Sequence, residues 1–265
     1  MAEPVRMSAA EIKNLFDLTG KTVVITGAGG ALGSTLAKGL ALHGADIVTA
    51  DMSLSLLEKV VADVKEAGRK ALPVEVNVVD EESAQSMIDM AVTEFGKVDV
   101  LITVAGIADR HPAEDFPIDI WQKVMDVNVK GTFICAQKAG KQMIEQGKGK
   151  IITIGSVRGF LGHPGGYAAY GTSKGSVHLL TQQLATEWAK YKINVNSIAP
   201  CIFWTPLTQQ VLDDKKLYEI FMSRIPWGRA ATPDDFIGTA VYLSSAASDF
   251  VTGVILSVDG GSVAG

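Results

Sequence analysis

Cysteine is nearly absent from this 265-residue chain: Cys135 and Cys201 are the only two, and neither lies in a CxxC. That is too few for a disulfide framework or a cysteine-rich metal centre, so no metal site is expected and a reducing, cytoplasmic setting is. Uninterrupted apolar runs of the roughly 18 residues needed to cross a bilayer are missing as well. The opening stretch MAEPVRMSAAEIKNLFDL scatters acids and bases among its apolar residues, which leaves no signal-peptide core and no membrane partner in prospect. Nor is there an excess of positive charge. Lys and Arg number 24 against 29 Asp and Glu, for a net charge of −5, and the cations are not gathered into a stripe, which argues against nucleic acid. No Pro/Ser-rich linker divides the chain, so residues 1–18 read as a short extension and 19–265 as one domain.

What the chain does have is alternation. Short β-branched runs at 22–26, 46–50, 71–76, 98–103, 150–154, 193–198 and 254–258 are separated by stretches of helical periodicity near 31–43, 53–67, 80–95, 117–146, 167–190, 205–223 and 232–245. Ser53, Asp80 and Thr232 are placed to cap three of these helices, and a further short helix is expected around 11–16. The strand candidates are apolar throughout, as in parallel strands covered on both faces. The pattern predicts an α/β fold: a Rossmann-type, doubly wound parallel sheet of about seven strands in a three-layer αβα sandwich. Ligands in such sheets lie beyond the carboxyl ends of the strands, so the loops there should carry the function.

The first strand runs into Thr26-Gly27-Ala28-Gly29-Gly30-Ala31-Leu32-Gly33 and then a helix, an arrangement that aims backbone N–H groups at an anion. A pyrophosphate cradle is one reading, and a ligand-free tight turn the other; the GxGxxG spacing is not met from Gly27. The second strand ends in Asp51, where a carboxylate can accept hydrogen bonds from an adenosine ribose and repel a 2′-phosphate, which favours NAD over NADP. Tyr170 and Lys174 stand one helical turn apart, on one face. Lowering a tyrosine pKa from about 10 to about 7 takes roughly 4 kcal/mol, which Lys174 and an oxidised nicotinamide could supply together, making Tyr170 a general base. Ser156, at the end of the fifth strand, can hydrogen-bond a substrate oxygen, and Asn128 sits in an otherwise apolar helical stretch where a buried amide must find partners.

With these residues in view, the chain from Leu18 to Gly261 resembles the short-chain dehydrogenase/reductase family in its compact form. The resemblance rests on Thr26, Gly27 and Gly33, on the tetrad Asn128, Ser156, Tyr170 and Lys174, and on Asn196-Ser197-Ile198-Ala199-Pro200. It implies that Tyr170 exchanges a proton with the substrate hydroxyl or carbonyl and that Ser156 orients that oxygen. It also implies that Lys174 binds the nicotinamide ribose, that Asn128 supports a water relay, and that a hydride passes to or from the nicotinamide. The cofactor would be held by Gly27, Gly29, Gly30, Ala31, Leu32, Gly33, Asp51, Met52, Asn77, Val78, Ala105, Gly106, Tyr170, Lys174, Pro200, Ile202 and Thr205. Ala31, Thr103, Asn77 and Cys201 depart from the family's residues, and the Val157 to Ala169 loop is one residue longer than usual.

Candidate substrate contacts are Arg110, Arg158, His163, Tyr167, Phe203 and Trp204, with the segment 205–227 beside them. Arg110 is placed as in family members resembling gluconate 5-dehydrogenases, where a cation meets a sugar-acid carboxylate; a plain surface arginine is the alternative. His163 reads as structural, because Tyr170 already fills the base role. The expected activity is therefore hydride transfer between NAD(H) and an alcohol or ketone of a polyol, sugar or sugar acid. An NADP-dependent carbonyl reductase and an NAD-binding protein without turnover remain as alternatives. A homotetramer is also implied, with the helices at 117–146 and 167–190 at one interface and the C-terminal strand at another.

Overall fold

The computed structural model describes residues 6–264. Its seven strands are β1 (Thr22–Thr26), β2 (Asp46–Asp51), β3 (Ala71–Glu75), β4 (Val100–Thr103), β5 (Gly149–Ile154), β6 (Ile193–Pro200) and β7 (Ile255–Val258). They form a single sheet in the order β3-β2-β1-β4-β5-β6-β7, and all six pairings are parallel. The fold is thus the doubly wound α/β sandwich that the alternation predicts. Every residue of β1 and of β4 is buried, which explains why neither strand alternates in polarity.

Among the described residues ten α-helices connect and flank the strands: α1 (Ala9–Lys13), α2 (Ala31–Leu42), α3 (Glu58–Glu66), α4 (Glu81–Phe95), α5 (Ile118–Met125), α6 (Thr132–Gln146), α7 (Ala168–Trp188), α8 (Pro206–Asp213), α9 (Lys215–Met222) and α10 (Ile237–Ser244). Two apolar clusters fill the spaces above and below the sheet. One joins Val23, Ile25, Leu36, Leu40 and Phe236; the other joins Val24, Leu101, Met87, Met143 and Ile151. Alternate residues of β1 enter opposite clusters, as the two-residue period of a strand requires. Each fully buried Leu, Ile or Phe contributes about 1.5–3 kcal/mol to this packing.

Some helices differ from expectation. Asp80 accepts from the Ser83 N–H, and Thr232 forms a capping box with Asp235, whereas Ser53 caps nothing and is followed by a short 3-10 turn. The extension's helix begins earlier than expected, capped reciprocally by Ser8 and Glu11. The predicted helix at 117–146 is interrupted by a π-helical segment over Asp126–Gly131. That segment carries Asn128, and such widened turns recur where a helix presents a functional side chain.

The strand order reverses between β1 and β4, and the crevice at their carboxyl ends is where the candidate residues gather. Gly27, with φ +67, brings the loop after β1 so close to β4 that a Cβ there would lie 2.7 Å from the Ala105 nitrogen. Only glycine combines that positive φ with that approach.

Candidate active site

The glycine loop and the end of β2 form the first wall. Gly30 precedes α2 without any side-chain cap, and no acid occupies the first turn of that helix. The helix itself thus places no negative charge at its leading N–H groups, the end that favours an anion. A side chain at Gly33 would collide with the Gly27 carbonyl, and one at Gly29 would come within 3.1 Å of Asp51 Oδ2. Gly29 N–H donates to that oxygen at 2.9 Å, and Met52 N–H to the other at 2.8 Å. Loop and carboxylate are thus one unit, with backbone N–H groups at the helix start and an acid at the end of β2.

Three of the other expected cofactor contacts use their polar groups within the protein. Asn77 Oδ1 accepts from the Val79 N–H at 3.3 Å, so its amide is engaged in a local turn. Thr205 caps α8, accepting from Thr208 N–H at 3.1 Å and pairing with the Thr208 hydroxyl at 3.0 Å. The Ile202 carbonyl accepts from Ala231 N–H. Helix capping claims a threonine hydroxyl that lies just before a proline-led helix, and linear spacing does not reveal that competition.

The second wall is the floor beyond β5 and the inner face of α7. Ser156, Lys174 and Asn128 are 6%, 6% and 1% exposed. The Ser156 hydroxyl accepts from the Arg158 N–H at 3.1 Å and lies close enough to the Tyr170 phenol to pull its pKa down. Lys174 Nζ donates to the Ile154 carbonyl at 2.7 Å and lies 5.7 Å from the centre of the Tyr170 ring. Asn128 Oδ1 accepts from Ile107 N–H at 2.8 Å, while its amide donates to the Ile107 carbonyl and to Ser173 Oγ, each at 2.9 Å. A Cβ on Gly106 would lie 3.2 Å from Asn128 Oδ1 and 3.6 Å from Lys174 Nζ, so the end of β4 touches the same floor. All four residues of the tetrad are brought together.

The electrostatics differ from the expectation for Tyr170. Burial raises the phenol's pKa above its ordinary value, against the opposing pull of the Ser156 hydrogen bond and of Arg158. Burial also lowers Lys174 to about 8. A low-dielectric pocket disfavours both charged forms, so protein groups alone do not bring the Tyr170 pKa down to neutral pH.

On the Arg158 side of this floor, between two loops, lies a cavity that the tetrad residues themselves do not line. This mouth, of about 770 Å³, is lined by Arg110, Arg158, His163, Tyr167 and Glu114, and by Gly171 and Thr172 of α7. Gly166, at φ +76, packs against the His111 carbonyl, and His111 N–H donates to the Gly166 carbonyl at 3.3 Å, tying the loops together. Arg110 lies over the Tyr167 ring at 5.7 Å, and Arg158 Nη1 donates to the Gly162 carbonyl. His163 Nδ1 accepts from Gly165 N–H, its ring stacks on Phe221 of α9 at 5.5 Å, and its buried Nε2 has no partner among the described residues. Burial first, then Arg158, Arg224 and Arg110, lowers the His163 pKa and so disfavours its charged form.

Two proposed substrate contacts stand elsewhere. Phe203 is turned into the apolar core, edge-on to Phe236 at 5.2 Å. Trp204 is not on the cavity wall; its backbone N–H donates to the Ala231 carbonyl, and the residue is 38% exposed. The bridge between Phe203 and Ala231 sets these directions, because alternation along an extended segment sends one ring inward and the next outward. Conversely, Arg224, whose charge acts on Arg158 and His163, and His178, which contacts Ser156, were not singled out from the sequence. A histidine one turn past Lys174 was the available signal for the second.

Comparison with known proteins agrees with this geometry. A family model described as enoyl-(acyl carrier protein) reductase matches residues 27–262. The chain is 42% identical to a 2-dehydro-3-deoxy-D-gluconate 5-dehydrogenase of Dickeya dadantii, over 94% of this chain and 98% of that one. The crystal structure of a gluconate 5-dehydrogenase from Burkholderia cenocepacia in complex with NADP and tartrate superimposes with a TM-score of 0.91, at 37% identity over 95% of this chain and 98% of that one. A short-chain type dehydrogenase/reductase from Mycobacterium marinum matches with a TM-score of 0.89, at 34% identity over 98% of this chain and all (100%) of that one. The sheet, the glycine loop and the Asn128, Ser156, Tyr170 and Lys174 floor, together with these matches, establish that the chain belongs to the short-chain dehydrogenase/reductase family.

Proposed function

We propose that this protein is an NAD-dependent dehydrogenase that interconverts a secondary alcohol and a ketone on a sugar acid. The observation that carries the reading is the position of the Ser156, Tyr170 and Lys174 floor beside a cavity edged by Arg110 and Arg158. The reacting oxygen of the substrate would meet the Ser156 and Tyr170 hydroxyls. In oxidation Tyr170 Oη takes the hydroxyl proton, and in reduction it returns one to the carbonyl oxygen. Lys174 and Asn128 hold the floor in shape and keep a positive charge near the phenol. The cofactor supplies hydride transfer at its nicotinamide.

Arginine suits a carboxylate because its planar fork matches both oxygens. Arg158 is half-buried, is paired with no carboxylate among the described residues, and is held below its usual pKa by burial and then by Arg224. The curated relatives that act on gluconate and its 2-dehydro-3-deoxy derivative support a sugar acid in this place. NAD is supported by the Asp51 carboxylate at the glycine loop, with Met52 and Ser53 rather than a cation after it. NADP dependence is the second reading, favoured by the Burkholderia relative's complex.

Initial rates with NAD and with NADP across gluconate, 2-dehydro-3-deoxygluconate and neutral polyols decide between these. Sugar acids with NAD should be turned over best, and Asp51→Ala should narrow the preference for NAD by about tenfold or more. Equal use of NADP by the unaltered protein, or cofactor binding without turnover of any substrate, would overturn the reading.

The assembly belongs to the same proposal. Phe133 of α6 and Leu179 of α7 are 40% and 66% exposed on the single chain, and Phe250 before β7 is fully so, which supports a homotetramer through those helices and the C-terminal strand. Light scattering that returned a monomer mass would exclude it. A cytosolic setting is supported by two buried free cysteines whose pKa values burial raises to about 12 and about 11.

A further inference from the structure

His178 takes no part in the chemistry proposed above, yet it is 6% exposed and lies one turn beyond Lys174 on α7. Its ring sits beneath the turn that follows β5. Ser156 N–H donates to Nε2 at 3.3 Å, and Phe160 lies against the ring with centroids 4.4 Å apart. A Cβ on Gly155 or on Gly159 would strike the same ring, so the chain closes around it from both sides. The contact falls where regular structure gives out. Gly155 N–H still bonds the Ile198 carbonyl of β6, and the 3-10 turn that carries Arg158 starts only at Val157. Between them the Ser156 peptide is held by this imidazole.

A backbone N–H can donate only to an unprotonated ring nitrogen, so the His178 proton lies on Nδ1. Burial, and after it the Lys174 ammonium, bring the ring to a pKa of about 4, which keeps Nε2 an acceptor at neutral pH. The Ser156 hydroxyl already accepts from the Arg158 N–H at 3.1 Å, a local bond that competes with its use beside the Tyr170 phenol. A hydroxyl that caps its own turn can be drawn toward that local bond, and small displacements of a reacting group are costly in rate.

Resting on the dehydrogenase reading above, we infer that His178 is a positioning residue: its Nε2 anchors the Ser156 peptide and so aims the Ser156 hydroxyl at Tyr170 and the substrate oxygen. It touches neither substrate nor cofactor, and its effect reaches the reaction only through Ser156.

The test is a double-mutant cycle on the full chain. His178→Leu removes the acceptor, and kcat should fall about tenfold while the cofactor KM stays within about twofold. His178→Gln keeps an acceptor in reach of Ser156 N–H and should recover kcat to within about threefold of the parent. In the Ser156→Ala background, His178→Leu should cost less than about twofold more, because the group it positions is gone. An undiminished loss in that background, a failure of Gln to recover the rate, or a fully active His178→Leu would each overturn the assignment. If His178→Leu does not fold by circular dichroism, His178→Val supplies the acceptor-free arm. A Ser156→Ala variant with the parental rate would instead sink the dehydrogenase reading itself, so the two failures are told apart.

Discussion

Ser156, Lys174 and Asn128 on the floor of the site are at most 6% exposed and hydrogen-bonded to backbone, whereas Arg110, Arg158, His163 and Tyr167 at its mouth stand half or fully exposed on two loops. The floor draws its groups from strand ends, a π-turn and a long helix, so their positions are set by the same packing that stabilises the fold. The mouth is held by a few loop contacts: the His111 to Gly166 bond, the His163 stack on Phe221 and Arg110 over Tyr167. A proton-transfer centre needs fixed distances and a dry surround, and a substrate mouth needs shape and charge that can vary without disturbing the core. If this division is right, changes to the floor act on kcat and changes to the mouth act on KM.

The largest effect should come from Tyr170→Phe, which keeps the ring and removes the proton. A loss of kcat on the order of a thousandfold is expected, with cofactor affinity retained in fluorescence titration. Retention of more than about a tenth of the activity would show that the floor is not the reacting centre.

Lys174→Met comes next and sharpens the comparison, because its two consequences have opposite signs. Activity should fall about a hundredfold as the floor loses its cation. Stability should rise. Burial lowers the folded pKa of Lys174 from 10.5 to about 8, so between those values the unfolded chain binds more protons and folding becomes more favourable as pH increases. Below about pH 8 the whole penalty of the buried charge is present. Its removal is worth at most on the order of 3 kcal/mol, less the lost bond to the Ile154 carbonyl. Thermal unfolding of both proteins at pH 7 and pH 10 measures it: the gain should be larger at pH 7. A Tm that falls at both values would mean the lysine stabilises the fold and that the floor was not built at the expense of stability.

The smallest effect belongs to the mouth. Arg110→Ala and Arg158→Ala together should raise KM for a sugar acid about tenfold and leave a neutral polyol nearly unaffected, with kcat little changed. If kcat fell as far as KM rose, Arg158 would have to be counted with the floor, through its N–H bond to Ser156 and its pull on Tyr170.

Much of the floor was legible in the chain. The Tyr170 and Lys174 spacing, the Ser156 strand end and the lone Asn128 amide picked out the residues, the family resemblance implied their roles, and the structure puts all four in one place. The glycine loop and Asp51 were readable as well: a turn that needs φ > 0 and close approach leaves glycine as its trace. The mouth was readable only in part. Arg110, Arg158, His163 and Tyr167 do line the cavity, but Phe203 and Trp204 do not, because a bridge to Ala231 sets which way those rings turn. Thr205 also caps α8, a local use that spacing does not show, and Arg224 was covered only by the broad segment 205–227 and not picked out by itself.

By itself, then, the sequence determined what is periodic and local: the parallel strands, the helices between them, the glycine cradle and the helical half of the catalytic group. Hydrophobic period and backbone stereochemistry write these into consecutive residues. Only the tertiary structure decided which distant groups share a hydrogen bond or a low dielectric. It set the burial that raises Tyr170 and lowers Lys174, the π-turn that bonds Asn128 to Ile107 and Ser173, and the His178 acceptor under Ser156. Those terms depend on distance and solvent exclusion between segments far apart in the chain, and no local pattern encodes them.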